Sequence, residues 1–149
     1  YLLMEFAFDE DPEFAEIMVD RILEMKITPV IAHPERYRFM QQNYDIVNHL
    51  ADIGVLFQVN SSSLAGFCGN EAKELAVAMV SSGIASFIGT DAHSVAHRPN
   101  NLLEQIKLFS APLDFDTCDR LLDKNARTIL AGGVFERGRI YPIHRKRFF

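Results

Sequence analysis

Four short runs of β-branched and aromatic residues, each followed by a longer amphipathic stretch, constrain this chain more than any other feature. The runs are Leu2-Leu3-Met4-Glu5-Phe6, Thr28-Pro29-Val30-Ile31-Ala32, Val55-Leu56-Phe57-Gln58-Val59 and Ile84-Ala85-Ser86-Phe87-Ile88. They recur roughly every 26 to 29 residues, the length of a βα unit. Between the first two, Pro12 opens a helix with Phe14, Ile17, Met18, Ile22 and Met25 at helical spacing. Asn43 to Asp52 carries Ile46, Val47, Leu50 and Ile53 on one face and is closed by Gly54. A Ser/Gly-rich stretch, Ser61 to Gly69, reads as a loop before a helix over Asn70 to Ser82, and two more helices are expected over Asn101 to Phe109 and Phe115 to Leu130. Strand and helix alternating in this way predict an α/β fold whose parallel strands are joined by crossover helices. No linker or low-complexity tract divides the 149 residues, so one domain spanning 1–149 is expected.

Composition narrows the function classes. Fifteen basic residues against 20 acidic ones leave a net charge of -5, which argues against a general nucleic-acid binder. Two cysteines, Cys68 and Cys118, are too few for a disulfide scaffold and fit a reducing cytoplasm. No apolar run approaches the ~20 residues of a membrane span.

Chemistry collects at the ends of the runs. Glu5, His33, Asn60, and Asp91 with His93 stand at or just after the carboxyl ends of the four strands, where parallel α/β proteins place their sites. A carboxylate inside an apolar strand, as at Glu5, is costly to bury alone; a metal or a salt bridge would resolve the cost. His33 leaves the sheet in His33-Pro34-Glu35-Arg36, as a ligand or as a hydrogen-bonded structural residue. Asp91 and His93 are two apart on a segment read as extended, which would point both side chains the same way. Oxygen and nitrogen donors without thiolate suit manganese, iron, zinc or magnesium. Arg36 and Arg98 lie in loops over this edge, where guanidinium groups grip phosphate oxygens. His97 could orient substrate or donate a proton, or be a solvated loop residue. Cys68 lacks the Cys-x5-Arg spacing of a cysteine phosphatase, and no nucleophile elbow, Walker loop or dinucleotide fingerprint occurs.

Leu3-Met4-Glu5-Phe6, Pro29-Val30-Ile31-Ala32-His33-Pro34-Glu35-Arg36, Gln58-Val59-Asn60 with Ser63-Leu64-Ala65-Gly66, and Thr90-Asp91-Ala92-His93 with Arg98-Pro99 follow one another in this order. Together they resemble the polymerase-and-histidinol-phosphatase (PHP) superfamily. Within it they resemble the manganese-dependent protein-tyrosine phosphatases of bacterial capsule and exopolysaccharide operons. Asn125-Ala126 with Ile129-Leu130 is similar to that family's terminal helix. The resemblance implies a distorted, TIM-like βα barrel with a metal cluster at its carboxyl edge. It further implies Glu5, His33, Asp91 and His93 as metal ligands and Arg36 and Arg98 as catalytic phosphate-binding residues. The implied substrate is phosphotyrosine on a bacterial tyrosine kinase that controls polysaccharide assembly.

The family's opening His-x-His strand has no counterpart before Tyr1, so the chain is expected to be the C-terminal part of the barrel, truncated at its N-terminus. Such a piece should self-associate, because the inner face formed by Leu2, Met4, Val30, Phe57, Val59 and Phe87 would lack an opposite wall. Two alternatives stand beside this reading: a PHP-type phosphoesterase for a small molecule such as histidinol phosphate, and an inactive fragment with only an interaction role. The basic end, Arg137, Arg139, His144, Arg145, Lys146 and Arg147, is either a solvated terminus or a surface attracted to anionic lipid or an acidic kinase tail.

Overall fold

The computed structural model describes residues 1–96, 100–109 and 113–145. Its sheet has four parallel strands in sequential order, β1 (Leu2–Met4), β2 (Pro29–Ala32), β3 (Leu56–Asn60) and β4 (Phe87–Gly89). Between them lie helices α1 (Pro12–Glu24), α2 (Arg38–Gln42), α3 (Tyr44–Asp52), α4 (Ser61–Ala65) and α5 (Asn70–Ser81). After β4 come α6 (Leu102–Lys107), α7 (Phe115–Asp119) and α8 (Asn125–Leu130), the last two joined by one π-helical turn, Arg120–Lys124. The expected helices therefore form where periodicity places them. Their starts have chemical causes: the Asp11 carboxylate accepts from the backbone of Glu13 at 2.8 Å ahead of Pro12, and Asn43 accepts from Asp45 at 3.1 Å.

Strand alternation divides the apolar residues between two faces. Ile31, Phe57, Val59 and Ile88 meet Ala15 and Val19 of α1, Val47 and Leu50 of α3, and Leu75 and Met79 of α5 in the main core. Val30, Leu56 and Phe87 point the other way and are covered by Ala126 and Ile129 of α8 and by Phe135. Two expectations are corrected here. Phe57 and Val59 do not share a face with Val30 and Phe87, because odd and even positions of one pleated strand point apart. The Val30–Leu56–Phe87 face is not bare either, since the C-terminal segment folds beneath it.

That segment clasps the amino-terminal ends of the strands. Arg137 donates to the Ala51 and Val55 carbonyls at the end of α3. Asn48 and Ile143 exchange two hydrogen bonds of 2.9 Å. The Tyr141 N–H donates to Ser82 at 2.9 Å. Gly83 permits this last approach: its φ is +77°, and a Cβ there would lie 2.8 Å from the Arg139 carbonyl. The basic end is accordingly not one free patch. Arg137 is used on α3, Arg139 lies over the Tyr141 ring, and Arg145 pairs with Glu71 at 3.6 Å. Lys146 and Arg147 lie outside the described residues.

Candidate active site

The carboxyl edge of the sheet gathers the polar residues, beginning with the loop after β1. The strand ends at Met4, so Glu5 lies beyond it and its side chain is 72% exposed. The expected burial of Glu5 within a strand does not arise, while a salt-bridge partner of the kind expected is present. The Glu5 carboxylate meets His33, its Oε2 lying 3.1 Å from Nε2. His33 is buried and holds a left-handed conformation, φ +36° and ψ +53°, at the start of a 3-10 turn, Pro34–Arg36. Such a conformation costs a non-glycine residue of order 1–3 kcal/mol and persists where surrounding contacts enforce it.

Those contacts are visible. The His33 N–H donates to the Gln58 carbonyl at 2.8 Å, extending the β2–β3 ladder past the strand end. Tyr37, fully buried, donates to the Ala32 carbonyl at 2.9 Å and accepts from the Phe6 N–H at 3.0 Å. One phenol thus ties the loop bearing Glu5 to the strand bearing His33. Burial above all pushes its pKa up to about 12, so it stays a neutral donor and acceptor.

A second pair stands after β4. Asp91 also has a positive φ, +54°, so this segment turns and is not extended as expected. Convergence of Asp91 and His93 is nevertheless achieved by the turn: His93 Nδ1 lies 2.8 Å from the Asp91 carbonyl and 3.4 Å from Oδ1. A carbonyl oxygen can only accept, so Nδ1 carries the proton and Nε2 keeps a lone pair for a ligand. Arg36 stands between the two pairs. Its Nη1 is 3.8 Å from Asp91 Oδ2, and its guanidinium lies 4.3 Å from the centre of the Phe8 ring.

Two further groups connect these ends. Asn60 at the end of β3 donates from Nδ2 to Asp91 Oδ2 at 3.4 Å and accepts from Gln58 Nε2 at 3.0 Å. Glu35 is 0% exposed, and its Oε1 accepts from the Asn60 N–H at 3.1 Å. Its Oε2 and the nearby Ser63 hydroxyl have no hydrogen-bond partner of good geometry among the described residues. Burial drives the Glu35 pKa to about 7, against the opposing pull of Ser63, backbone amides and Arg36. Sequence reasoning assigned Glu35 and Tyr37 no role. Their adjacency to His33 and Arg36 was the available signal, but local pattern does not reveal that they are buried. His97 and Arg98 lie outside the described residues.

The donors fit a divalent cation in kind: imidazole and carboxylate on neighbouring strand ends, with no thiolate. They are gathered as two pairs, and no three His, Cys, Asp or Glu side chains converge among the described residues. His33 Nδ1 is buried without a hydrogen-bond partner, the nitrogen that a ligating histidine ordinarily anchors. Among the described residues the donor set suits a metal in kind and offers two pairs of donors.

Fold and site define a class: a parallel α/β protein with carboxylates, imidazoles and a guanidinium on the carboxyl edge of its sheet. The chain belongs to the CpsB/CapC capsular polysaccharide synthesis family, which matches residues 1–131. It is 33% identical over 150 residues to the tyrosine-protein phosphatase YwqE of Bacillus subtilis, covering 100% of this chain and 58% of that protein. It is 40% identical over 99 residues to the putative tyrosine-protein phosphatase CapC of Staphylococcus aureus, covering 66% of this chain and 39% of the relative. A solved structure from work on YwqE and on CpsB of Streptococcus pneumoniae, described as metal-dependent tyrosine phosphatases, is similar at a TM-score of 0.83 and 30% identity. The match covers 97% of this chain and 58% of that one. The chain thus spans little more than half the length of these full matches.

Proposed function

We propose that this chain carries part of a metal-dependent protein-tyrosine phosphatase site, within a single phosphatase domain whose four strands belong to a larger βα barrel. The observation that carries the reading is Arg36, three residues after His33 and 3.8 Å from Asp91, which links the Glu5–His33 pair at the ends of β1 and β2 with the Asp91–His93 pair after β4, in a chain of this family. Glu5, His33, Asp91 and His93 are the residues that would hold metal, with manganese the first candidate. Bound there, a divalent metal supplies Lewis acidity and lowers the pKa of water, which hydrolysis of a phosphate ester needs at neutral pH.

The chain's own residues do the rest. Arg36 binds phosphate oxygens through its planar fork, and Arg98 is proposed to join it. Asn60 and the Arg36 guanidinium hold the Asp91 carboxylate toward the site. The Nδ1–H bond of His93 to the Asp91 carbonyl fixes its tautomer. A phenolate leaves more readily than an alkoxide, so phosphotyrosine makes little demand for a general acid; His97 is the candidate if one acts. We place the protein in the cytoplasm and its substrate on a bacterial tyrosine kinase that governs polysaccharide assembly. Among the described residues no helix is long and apolar enough to cross a membrane.

The test is hydrolysis by the full-length protein of a phosphotyrosine peptide and of histidinol phosphate, before and after metal removal and manganese addition. Metal-dependent activity favouring the peptide is expected. Preference for histidinol phosphate moves the assignment to a small-molecule phosphoesterase. Activity on neither substrate with metal bound overturns the enzymatic reading.

A further inference from the structure

We propose that Phe8 is a specificity-determining residue: an aromatic wall beside Arg36 that favours phosphate esters of an aromatic alcohol over those of an aliphatic one. The inference rests on the phosphatase reading above and names the residue that would select the ester.

Three observations place Phe8 at the rim. Phe8 is 47% exposed, unlike the buried Tyr37 whose ring it neighbours. It nevertheless touches the site twice, with its ring centre 4.3 Å from the Arg36 guanidinium carbon and 5.8 Å from the His33 ring. Its backbone is fixed as well, because the Phe8 carbonyl accepts from the Arg38 N–H at 2.9 Å, pinning the loop after β1 to the start of α2. A phenylalanine held this way has a defined position without being buried. Single exposed apolar side chains are common on protein surfaces; what sets Phe8 apart is its contact with both Arg36 and His33 at the candidate site.

The chemistry follows from the contact. A phosphate gripped by Arg36 is held beside Phe8, and the group esterified to it is one oxygen from phosphorus. An aryl group at that distance can pack edge or face against the Phe8 ring, an interaction that an alkyl chain of the same phosphate makes poorly. The cation over Phe8 also polarises the ring and sets the guanidinium plane. A residue that only oriented Arg36 would affect every phosphate ester alike. A wall for the leaving group would not.

The experiment measures kcat/KM of the full-length, metal-loaded protein for a phosphotyrosine peptide and for the matching phosphoserine peptide, in wild type, Phe8→Ala, Phe8→Leu and Phe8→Tyr. Calorimetric binding of phenylphosphonate and methylphosphonate accompanies it. The expected result is a three- to tenfold loss of the aryl-to-alkyl ratio in Phe8→Ala and Phe8→Leu, with Phe8→Tyr close to wild type and the phosphonate ratio changing in parallel. Thermal unfolding checks that each variant folds, and Phe8→Leu keeps the apolar bulk if the alanine variant does not. Equal losses for both esters, an unchanged ratio, or a wild type that binds the phosphonates equally or not at all overturns the proposal. A wild type that hydrolyses neither peptide but prefers phenylphosphonate, with the preference lost in Phe8→Leu, removes the phosphatase reading and leaves the aromatic wall standing.

Discussion

The two ends of this sheet are built on opposite principles. At the amino-terminal end, the segment after α8 satisfies backbone groups: Arg137 caps the carbonyls closing α3, Asn48 pairs with Ile143, and Tyr1 accepts from Phe135 at 2.7 Å. At the carboxyl end, His33 and Asp91 take left-handed conformations, and among the described residues His33 Nδ1, Glu35 Oε2 and the Ser63 hydroxyl have no hydrogen-bond partner of good geometry. Lys26, ahead of β2 at the other end, is left-handed as well, so it is the unsatisfied polarity that sets the carboxyl end apart. The difference teaches where stability and chemistry reside: one end can be altered to change folding, the other to change reactivity.

The largest expected effect lies at the carboxyl end. Asp91→Asn and His93→Ala in the full-length protein should each lower turnover of a phosphotyrosine peptide by about a thousandfold, about 4 kcal/mol in the barrier. The unfolding temperature should hold, since both side chains stand at the rim of the core. Kinetics, metal analysis and thermal unfolding check this together. Near-normal turnover and metal content in both variants would remove these residues from the site.

A smaller effect is expected one step from the donors. Arg36→Lys keeps the charge and loses the planar fork. Catalytic efficiency should fall about 30-fold, roughly 2 kcal/mol, while metal content stays normal. Unchanged kinetics would make Arg36 a partner of Asp91 and Phe8 alone.

At the opposite end the sign of the test reverses. Arg137→Ala removes the side-chain donor from the Val55 carbonyl and the second donor from the Ala51 carbonyl, which keeps its bond from the Gly54 N–H at 3.1 Å. Arg137 is half-buried, and that burial lowers its pKa from the ordinary value. A loss of about 2 kcal/mol in unfolding free energy is expected, with the aryl-to-alkyl ratio and metal content untouched. Denaturant titration beside the kinetic assay checks it. A kinetic defect without a stability loss would show that the two ends are not separable.

The same contrast governs what the sequence made legible. Period-two and period-3.6 patterning reports burial of apolar residues, so β2, β3, α1, α3 and α5 fall where expected. The pattern predicts a strand over 84–88, yet the ladder proper is Phe87–Gly89, because Ile84 and Ala85 belong to the turn after α5. Ser61-Ser62-Ser63 looked like loop and forms α4, a helix launched directly from the end of β3 where tertiary contacts override weak propensity. The donor residues were visible because strand ends can be counted. Glu35 was not, because a glutamate between proline and arginine looks solvated, and the packing of β3 and α5 against the turn, with Ser63 of α4 alongside, encloses it.

Glu35 gives the smallest and sharpest test of the comparison. Its pKa in the folded protein is about 7 against an ordinary 4.5, so the native state holds a proton that the unfolded chain releases across that interval. Native protein binds more protons than unfolded between those two values, so this group's contribution to stability is full below about pH 4.5 and is lost as pH rises through 7. The full window integrates to at most about 3 kcal/mol, and local opening of the turn to water reduces it, so about 1–2 kcal/mol is expected. Glu35→Gln keeps the volume and the acceptor for the Asn60 N–H while removing the titration. Metal-free wild type should therefore lose stability between pH 5 and pH 8 relative to Glu35→Gln, and the two curves should converge at acid pH. Measuring unfolding by denaturant at several pH values in that range decides the matter. Parallel curves would mean that Glu35 titrates normally, with water reaching a carboxylate that the structure encloses, and the carboxyl end would then be more open than its geometry implies.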